Sequence, residues 1–385
     1  MKFNQINNLP GMSDNWGDCA TQTYKVRDDL NKLYTQHGYE FIETPILEES
    51  ELFIRKSGAE LTTKLFSFVD PYGNKICLRP EITPSIIRYY IQNGQNKDLP
   101  LRIQYHGPIF RHDQSIRQST QFGLEVIGGS KIEVEVELIY LSFEGLNKLG
   151  IQNTFISLGN VGLIKEILSN FNLSNTLKLF TINNISEFIN SKISVNTLVN
   201  KAKQLGLLDD SNSKEVNQIK DPEIFLSKFS KENSQNYLGR RSSQEILDRL
   251  QLKSKRGNEK NNFVSALNFL LEFFSLNTQD INQLQNIQKL IDSSNISTNA
   301  IDDTKRLIEH VINKGVPEKS IKIDLSLARG ISYYTGIVFD IYQTVGAKPL
   351  VIGGGGRYDS LVKAFGGKDV PAIGFAYNLD SININ

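Results

Sequence analysis

The spacing of apolar residues predicts an amphipathic helix from Asp18 to His37, which Gly38 ends. The face of this helix that we expect to be buried carries Val26, Leu30, Leu33 and Tyr34. The segment that follows is aromatic and β-branched, but it contains Pro45, which has no amide hydrogen for a central strand to donate. We therefore predict an edge strand after the first helix.

Further strands and helices follow in the first 150 residues. Residues 65–69 and 75–79 flank the turn signal Asp-Pro-Tyr-Gly and predict a hairpin. Residues 102–112 and 121–128 predict a second antiparallel pair, joined by a polar connection. Helical spacing is found over residues 83–93 and 133–149, so each hairpin is followed by a helix.

The composition and the spacing of apolar residues change twice in the rest of the chain. Residues 165–315 are rich in Asn, Ser, Gln, Leu and Ile at helical spacing, and we expect a mainly helical insertion there. Strand patterns return over residues 321–327, 337–342 and 350–352, followed by a glycine run and a short helix over 358–365. The fold class is therefore α+β, with residues 1–164 and 316–385 forming a core around a mainly antiparallel sheet.

Charge and composition exclude several classes of protein. The 385 residues include 43 Lys and Arg against 42 Asp and Glu, so no global positive field is available to hold nucleic acid. No apolar run reaches the roughly 20 residues of a membrane helix, and no secretory signal is visible. Two widely spaced cysteines and four scattered histidines predict neither disulfides nor a metal site. We expect a cytoplasmic protein.

Four local patterns offer candidate chemistry, each with a structural alternative. Gln121 and Glu125 share a strand face on either side of a glycine, which leaves room for a ligand or marks an exposed face with a bulge. The Arg79-Pro-Glu-Ile-Thr83 segment places a carboxylate and a hydroxyl at a predicted helix start, where Thr83 is also a plausible N-cap. Residues 328–336 pair an arginine with two tyrosines, which suits either a carboxylate clamp or a surface arginine above core tyrosines. The glycine run at 353–356 is only weakly similar to a phosphate cradle.

Taken in order, the motifs of this chain resemble the catalytic core of histidyl-tRNA synthetases. They are Leu9-Pro-Gly-Met-Ser-Asp14, Gly38-Tyr-Glu-Phe-Ile-Glu-Thr-Pro45, Leu78-Arg-Pro-Glu-Ile-Thr83, Gly107-Pro-Ile-Phe-Arg111, Gln121-Phe-Gly-Leu-Glu125, Ala328-Arg-Gly-Ile-Ser-Tyr-Tyr334 and Gly353-Gly-Gly-Gly-Arg-Tyr-Asp359. The resemblance implies a class II aminoacyl-tRNA synthetase fold, with an antiparallel sheet flanked by helices. It also implies a dimer formed through the helix and strand that end at Pro45.

The resemblance further implies a pocket for L-histidine. Glu81, Thr83 and Gln121 would hold the α-ammonium group, Glu125 and Tyr334 the imidazole, and Arg329 the carboxylate. A neutral imidazole needs one acceptor and one donor, and Glu125 and Tyr334 supply them. Arg111 and Tyr333 complete the predicted set of binding residues. No cofactor is implied.

Departures from the family pattern change the expected function. Ser381 stands where the family has an arginine that meets ATP phosphates, and the loop after Arg111 is short. The chain ends soon after this motif, so we expect no anticodon-binding domain and no tRNA. These features resemble the regulatory subunit of ATP phosphoribosyltransferase, a non-catalytic paralogue that would sense histidine as an effector. Its partner would be the short-form catalytic subunit, in a hetero-oligomer containing a homodimer. The alternative is a catalytic core that activates histidine with ATP.

Overall fold

The computed structural model describes residues 6–55, 65–112, 114–189, 193–208, 243–276, 280–327 and 333–383. Contacts divide the chain into two compact units. The first unit comprises residues 1–163, 277–288 and 299–385, and the second comprises residues 164–276 and 289–298. Among the described residues, no helix is both long and apolar enough to span a bilayer.

An eight-stranded sheet forms the centre of the first unit, in the order β1-β5-β6-β11-β10-β9-β7-β8. Its strands are β1 (Glu40–Ile42), β5 (Leu101–Phe110), β6 (Gln118–Ile127), β7 (Thr154–Asn160), β8 (Ile321–Ile323), β9 (Ile337–Val345), β10 (Lys348–Arg357) and β11 (Ala372–Asn378). Only the two outermost pairs, β1 with β5 and β7 with β8, are parallel. The predicted α+β class and antiparallel sheet are confirmed, and β1 is the predicted edge strand.

A second, three-stranded sheet has the order β2-β4-β3. Its strands are β2 (Leu47–Glu49), β3 (Ser67–Val69) and β4 (Lys75–Leu78), and β3 with β4 forms the predicted hairpin. The Asp70 carboxylate accepts hydrogen bonds from the backbone N–H groups of Tyr72 and Asn74, which closes the turn. This is the local interaction by which aspartate favours turns.

Two helices cover one face of the large sheet. Helix α1 (Asp18–Gln36) buries the four apolar residues that its spacing predicts. The Tyr34 hydroxyl donates to the Leu141 carbonyl oxygen of a second helix, Lys131–Lys148, at 3.2 Å. It also lies 3.2 Å from the hydroxyl of Tyr377 on β11. These contacts fix both helices on that face, and the opposite face of the sheet carries the candidate site.

The helices other than α1 are distributed over the two units. In the first unit, α2 (Thr83–Tyr89) continues as a π-helix (Tyr90–Gly94), α3 is Lys131–Lys148, α9 is Ala300–Lys314 and α10 is Leu361–Ala364. Helix α4 (Val161–Ser169) begins in the first unit and continues into the second, whereas α8 (Leu284–Ser293) begins with residues of the first. The second unit contains α5 (Asn175–Ile189), α6 (Val195–Gln204) and α7 (Ser243–Ser275).

Three predictions differ from the structure. The strand predicted over residues 321–327 stops at Ile323 and is followed by a turn. Helix α9, predicted within the helical insertion, belongs to the first unit, where it packs against α3 and Asp303 pairs with Lys131. The glycine run, predicted to follow the strand, lies inside β10. The wider prediction that residues 165–315 form an insertion stays a prediction.

Candidate functional site

The candidate site lies on a sheet face that is unusually poor in side chains. In an antiparallel sheet, residues directly opposite each other project to the same face. One such row joins Gly356, Gly374 and Glu125 across β10, β11 and β6. The neighbouring row joins Gly354, Ala376, Gly123 and Tyr105. Small residues therefore form a shallow floor on which larger side chains lie flat.

The glycines of this floor are required by close approach. A Cβ atom on Gly374 would lie 1.6 Å from Oε2 of Glu125. One on Gly356 would lie 2.8 Å from the ring of Tyr334, and one on Gly123 would lie 2.4 Å from the hydroxyl of Tyr105. Tyr105 thus fills the space above Gly123, where the sequence allowed either a ligand or an exposed face with a bulge. The glycine run is part of this floor, and it forms a strand of the sheet and not a phosphate cradle.

A cavity of about 220 Å³ opens above the floor. Its wall combines carboxylate, guanidinium, amide and hydroxyl groups with backbone of the glycine-rich strand. The polar and aromatic wall residues are Glu81, Thr83, Tyr105, Arg111, Gln114, Ser119, Gln121, Tyr333, Tyr334, Tyr358, Phe375 and Asn378. Several polar groups converge on this cavity, which makes it a candidate site for a small ligand.

Glu125 is a buried carboxylate held by three hydroxyl groups. It is 1% exposed, and its Oε1 accepts hydrogen bonds from Thr83 at 2.6 Å and Tyr105 at 3.2 Å. Tyr358 donates to Oε2. Burial raises the pKa of Glu125 to about 7, although the three hydroxyl hydrogen bonds act in the opposite direction. Burial and the charge of Glu125 raise the pKa values of both tyrosines, so their hydroxyls remain protonated donors.

Glu81 and Thr83 enter the site at the start of α2. The Tyr333 hydroxyl donates to Oε2 of Glu81 at 2.9 Å, which connects two sides of the cavity. The prediction that Thr83 is the N-cap is wrong, since Ile82 occupies that position and no side chain caps the helix. The Thr83 hydroxyl is bonded to Glu125 instead, so this residue serves the site and not the helix end.

Arg111 follows β5 at the mouth of the seven-residue connection to β6. Its Nε donates to the Pro80 carbonyl oxygen at 2.9 Å, so the guanidinium is anchored beside Glu81. Its backbone N–H donates to the Arg117 carbonyl oxygen at 2.9 Å, and the Arg117 N–H donates to the Gly11 carbonyl oxygen at 2.7 Å. The N-terminal segment therefore holds the connection that borders the cavity.

Arg357, which follows the glycine run, is buried and structural. Its guanidinium is 2.6 Å from the carboxylate of Glu135 on α3, and both side chains are 3% exposed. A second nitrogen donates to Asp359 at 2.9 Å. Tyr358 lies between Arg357 and Asp359 in the sequence. The two ion pairs of Arg357 therefore fix the backbone from which Tyr358 reaches Glu125.

The structure brings together most of the residues that the sequence predicts. Six of the eight predicted residues line the cavity, namely Glu81, Thr83, Arg111, Gln121, Tyr333 and Tyr334. Glu125 is not part of the wall, but the three hydroxyls that bind it are. Arg329 lies outside the described residues. Sequence reasoning missed Tyr105, Tyr358 and Asn378. Tyr358 follows β10 within the quoted Gly353–Asp359 motif, Asn378 lies opposite Gln121, and Tyr105 lies opposite Gly123. The predicted roles of all eight stay predictions.

The sequence matches the model of the histidyl-tRNA synthetase family over residues 11–202 and 232–382. The chain therefore belongs to the histidyl-tRNA synthetase family. It is 29% identical over 364 residues to the histidine–tRNA ligase of Methanocaldococcus jannaschii, covering 94% of this chain and 71% of that relative. It is 30% identical over 376 residues to the histidine–tRNA ligase of Saccharolobus islandicus strain L.S.2.15, covering 96% and 73%.

Solved structures share the same fold. An ATP phosphoribosyltransferase regulatory subunit/histidyl-tRNA synthetase from Bacillus halodurans C superposes with a TM-score of 0.69 at 21% identity, over 98% of this chain and 83% of that chain. The apo histidyl-tRNA synthetase of S. aureus gives 0.56 at 19% identity, over 98% and 72%. The class II synthetase fold is thus confirmed for this chain.

Proposed function

We propose that the cavity binds L-histidine and that the chain acts as a regulatory subunit of ATP phosphoribosyltransferase, sensing histidine as an effector. The observation that carries the proposal is the convergence of Glu81, Gln121, Tyr333 and Tyr334 on one small polar cavity. Its volume of about 220 Å³ is below the roughly 300–1,000 Å³ of pockets for drug-sized ligands. That size suits a single amino acid better than an amino acid together with a nucleotide.

Each polar group of histidine has a proposed partner. The α-ammonium binds the Glu81 carboxylate and the Gln121 side-chain oxygen, since a cation next to a buried carboxylate forms a charge-assisted hydrogen bond. The imidazole lies against Tyr334 and the hydroxyls that surround Glu125. Thr83, Tyr105 and Tyr358 donate their protons to that carboxylate, so they offer oxygen lone pairs to a ring N–H group. The proposed role of Arg329 is to bind the carboxylate of histidine.

The regulatory role is supported by what replaces the ATP clamp. Ser381 lies in a short 3-10 turn, Leu379–Ser381, after β11 and is not part of the cavity wall. A serine offers no fixed positive charge for a transferring phosphate, and loss of one such contact costs about 10²–10³ in rate. We infer that histidine is bound without being activated, and that a partner subunit performs the catalysis.

The second candidate function is a catalytic core that activates histidine with ATP. It is favoured by the names of the curated relatives, both of which are histidine–tRNA ligases. Arg111, whose guanidinium borders the cavity, is the described residue best placed to meet a phosphate in that case. Histidine-dependent exchange of pyrophosphate into ATP separates the two functions. We expect no exchange by the purified chain, and clear exchange would refute the regulatory role.

Calorimetric titration with L-histidine and then with ATP tests the binding proposal. We expect binding of histidine alone, and at least a tenfold loss of affinity in Glu81→Gln, because the ammonium loses its charged partner. Glu133→Gln, an exposed carboxylate on α3, is the matched control and should bind as the parent does. Failure of the parent to bind histidine would refute the site.

The partner is tested with a short-form ATP phosphoribosyltransferase catalytic subunit. We propose a hetero-oligomer that contains a homodimer of this chain. The mixture should elute as one complex whose mass is measured by light scattering, and its transferase activity should need this chain and fall when histidine is added. Activity that is independent of the chain, or insensitive to histidine, would refute the regulatory role.

A further inference from the structure

Arg79 is a buried cation with no described carboxylate as its hydrogen-bond partner. It is 2% exposed and is the largest fully buried side chain of the described residues. Burial lowers the pKa of Arg79, although the nearby charge of Glu48 acts in the opposite direction. That carboxylate is itself occupied by Arg88, at 2.8 Å. A guanidinium is costly to bury unless its N–H groups are hydrogen-bonded. Here backbone carbonyl oxygens and the Thr44 hydroxyl accept those hydrogen bonds.

The guanidinium of Arg79 ties three segments of the first unit together. Its Nε donates to the Pro108 carbonyl oxygen at 2.9 Å. Its Nη1 donates to the carbonyl oxygen of Thr44 at 2.8 Å and to the Thr44 hydroxyl at 3.0 Å. Strand β5 makes room for this side chain, because a Cβ atom on Gly107 would lie 2.2 Å from Nη2.

The backbone around Arg79 is anchored as well. The Arg79 N–H donates to the Ile46 carbonyl oxygen, and its own carbonyl oxygen accepts from the Phe110 N–H, both at 3.0 Å. The next carbonyl oxygen, that of Pro80, accepts from Nε of Arg111 at 2.9 Å. The chain is therefore fixed immediately before Glu81, whose carboxylate faces the cavity. Glu125, in contrast, is carried by a different strand, and two of its three hydroxyl partners, Tyr105 and Tyr358, come from other segments of the chain.

We propose that Arg79 is a positioning residue for the ligand's ammonium group, acting through Glu81. This inference rests on the proposed function, in which Glu81 binds that ammonium. The planar fork of arginine reaches the Thr44 and Pro108 oxygens at the same time, which the single ammonium of lysine does not reproduce. Loss of the fork lets the Pro80–Glu81 backbone shift, and the carboxylate then no longer meets the ammonium in its bound position.

The test compares two ligands that differ only in the ammonium group. Affinities for L-histidine and for imidazole-4-propionate are measured on the parent, Arg79→Lys and Arg79→Gln. We expect both variants to lose about tenfold or more in histidine affinity, as for a lost charge-assisted hydrogen bond. Their imidazole-4-propionate affinity should stay within about twofold of the parent's. Arg102 lies elsewhere on β5 and pairs with Glu137 of α3. Arg102→Gln breaks this ion pair and should change neither affinity.

Two further variants keep the inference falsifiable. If Arg79→Gln does not fold, as judged by circular dichroism, Gly107→Ala displaces Nη2 instead and should lower the ratio of the two affinities in the same way. In a Glu81→Gln background, Arg79→Lys should cause no further loss of histidine affinity. Equal weakening of both ligands, or an unchanged ratio, would mean that Arg79 only supports the fold. If the parent binds histidine but the Arg79 variants keep its ratio of affinities, this inference alone is overturned. If the parent binds neither ligand, the proposed function is overturned with it.

Discussion

Replacing Glu125 with glutamine should change how the stability of the protein depends on pH. The carboxyl is fully buried, and burial raises its pKa to about 7 from an ordinary value of 4.5. Between these two pH values the folded state binds the proton more tightly than the unfolded state. Stability is therefore lost as the pH rises through this range, because the slope follows the difference in bound protons. Thr83, Tyr105 and Tyr358 reduce this loss but do not abolish it.

The magnitude follows from the size of the pKa shift. About 2.5 pKa units at about 1.4 kcal/mol each give a total of about 3–4 kcal/mol, of which most is lost between pH 4.5 and pH 8. The glutamine side chain does not titrate, and its oxygen still accepts a hydrogen bond from the hydroxyls. The free energy of unfolding of Glu125→Gln minus that of the parent should therefore increase by about 3 kcal/mol between pH 4.5 and pH 8.

Urea unfolding followed by circular dichroism measures this difference. Fluorescence is a poorer probe, because the single tryptophan, Trp16, is 85% exposed. Glu137→Gln is the control with the opposite sign: burial alone would raise the pKa of Glu137, but hydrogen bonds from Arg102 and Tyr39 outweigh it and lower that pKa. The parent's advantage over this control variant should grow as the pH rises. A difference for Glu125→Gln that does not vary with pH would refute the reasoning, since the buried carboxyl would then not titrate in this range.

Further predictions concern the surroundings of Glu125. Tyr358→Phe removes a hydrogen bond that lowers the pKa of Glu125, so the midpoint of the pH-dependent loss of stability should move to higher pH in the same unfolding assay. Gly374→Ala should destabilise the fold by about 3 kcal/mol or more, because the added Cβ meets the carboxylate and the Leu124 carbonyl oxygen, and a wild-type urea midpoint would contradict the close approach. Arg357→Met should cost about 3–5 kcal/mol by leaving Glu135 buried without its partner, and the double variant with Glu135→Leu should recover most of that loss if the pair accounts for it.

The sequence predicted the elements whose signals are local. The four apolar residues of α1 recur at helical spacing, so the helix and its buried face can be predicted without knowing which residues they contact. The aspartate turn of the β3–β4 hairpin is equally local. Strand β7 escaped prediction. The strand character of the glycine run also escaped prediction, because glycine has no intrinsic preference for strands. The run is extended because β10 pairs with both β9 and β11, and Tyr334 lies over Gly356.

Several residues of the candidate site could be predicted from the sequence, but the hydrogen bonds between them could not. Motif order placed Glu81, Gln121 and Tyr334 in one group, since the resemblance to a known family carries that information. It did not reveal that Glu125 is enclosed by hydroxyls, because Tyr105 and Tyr358 reach it from two other segments of the chain. Likewise, the sequence did not reveal that the Thr83 hydroxyl binds Glu125 on β6 instead of capping the helix. Interactions of this kind depend on register between strands, which a single sequence does not specify.

The hydrogen bonds inside the cavity constrain what a ligand must offer. Tyr333 already donates to Glu81, so a ligand that binds there has to compete with, or share, an existing hydrogen bond. A neutral donor would gain little from that exchange, because it replaces one neutral hydrogen bond with another. A cation gains the additional attraction of a carboxylate in a site of low dielectric. We therefore propose that the arrangement favours a charged ammonium over a neutral amide or hydroxyl, as the proposed sensing of an amino acid requires.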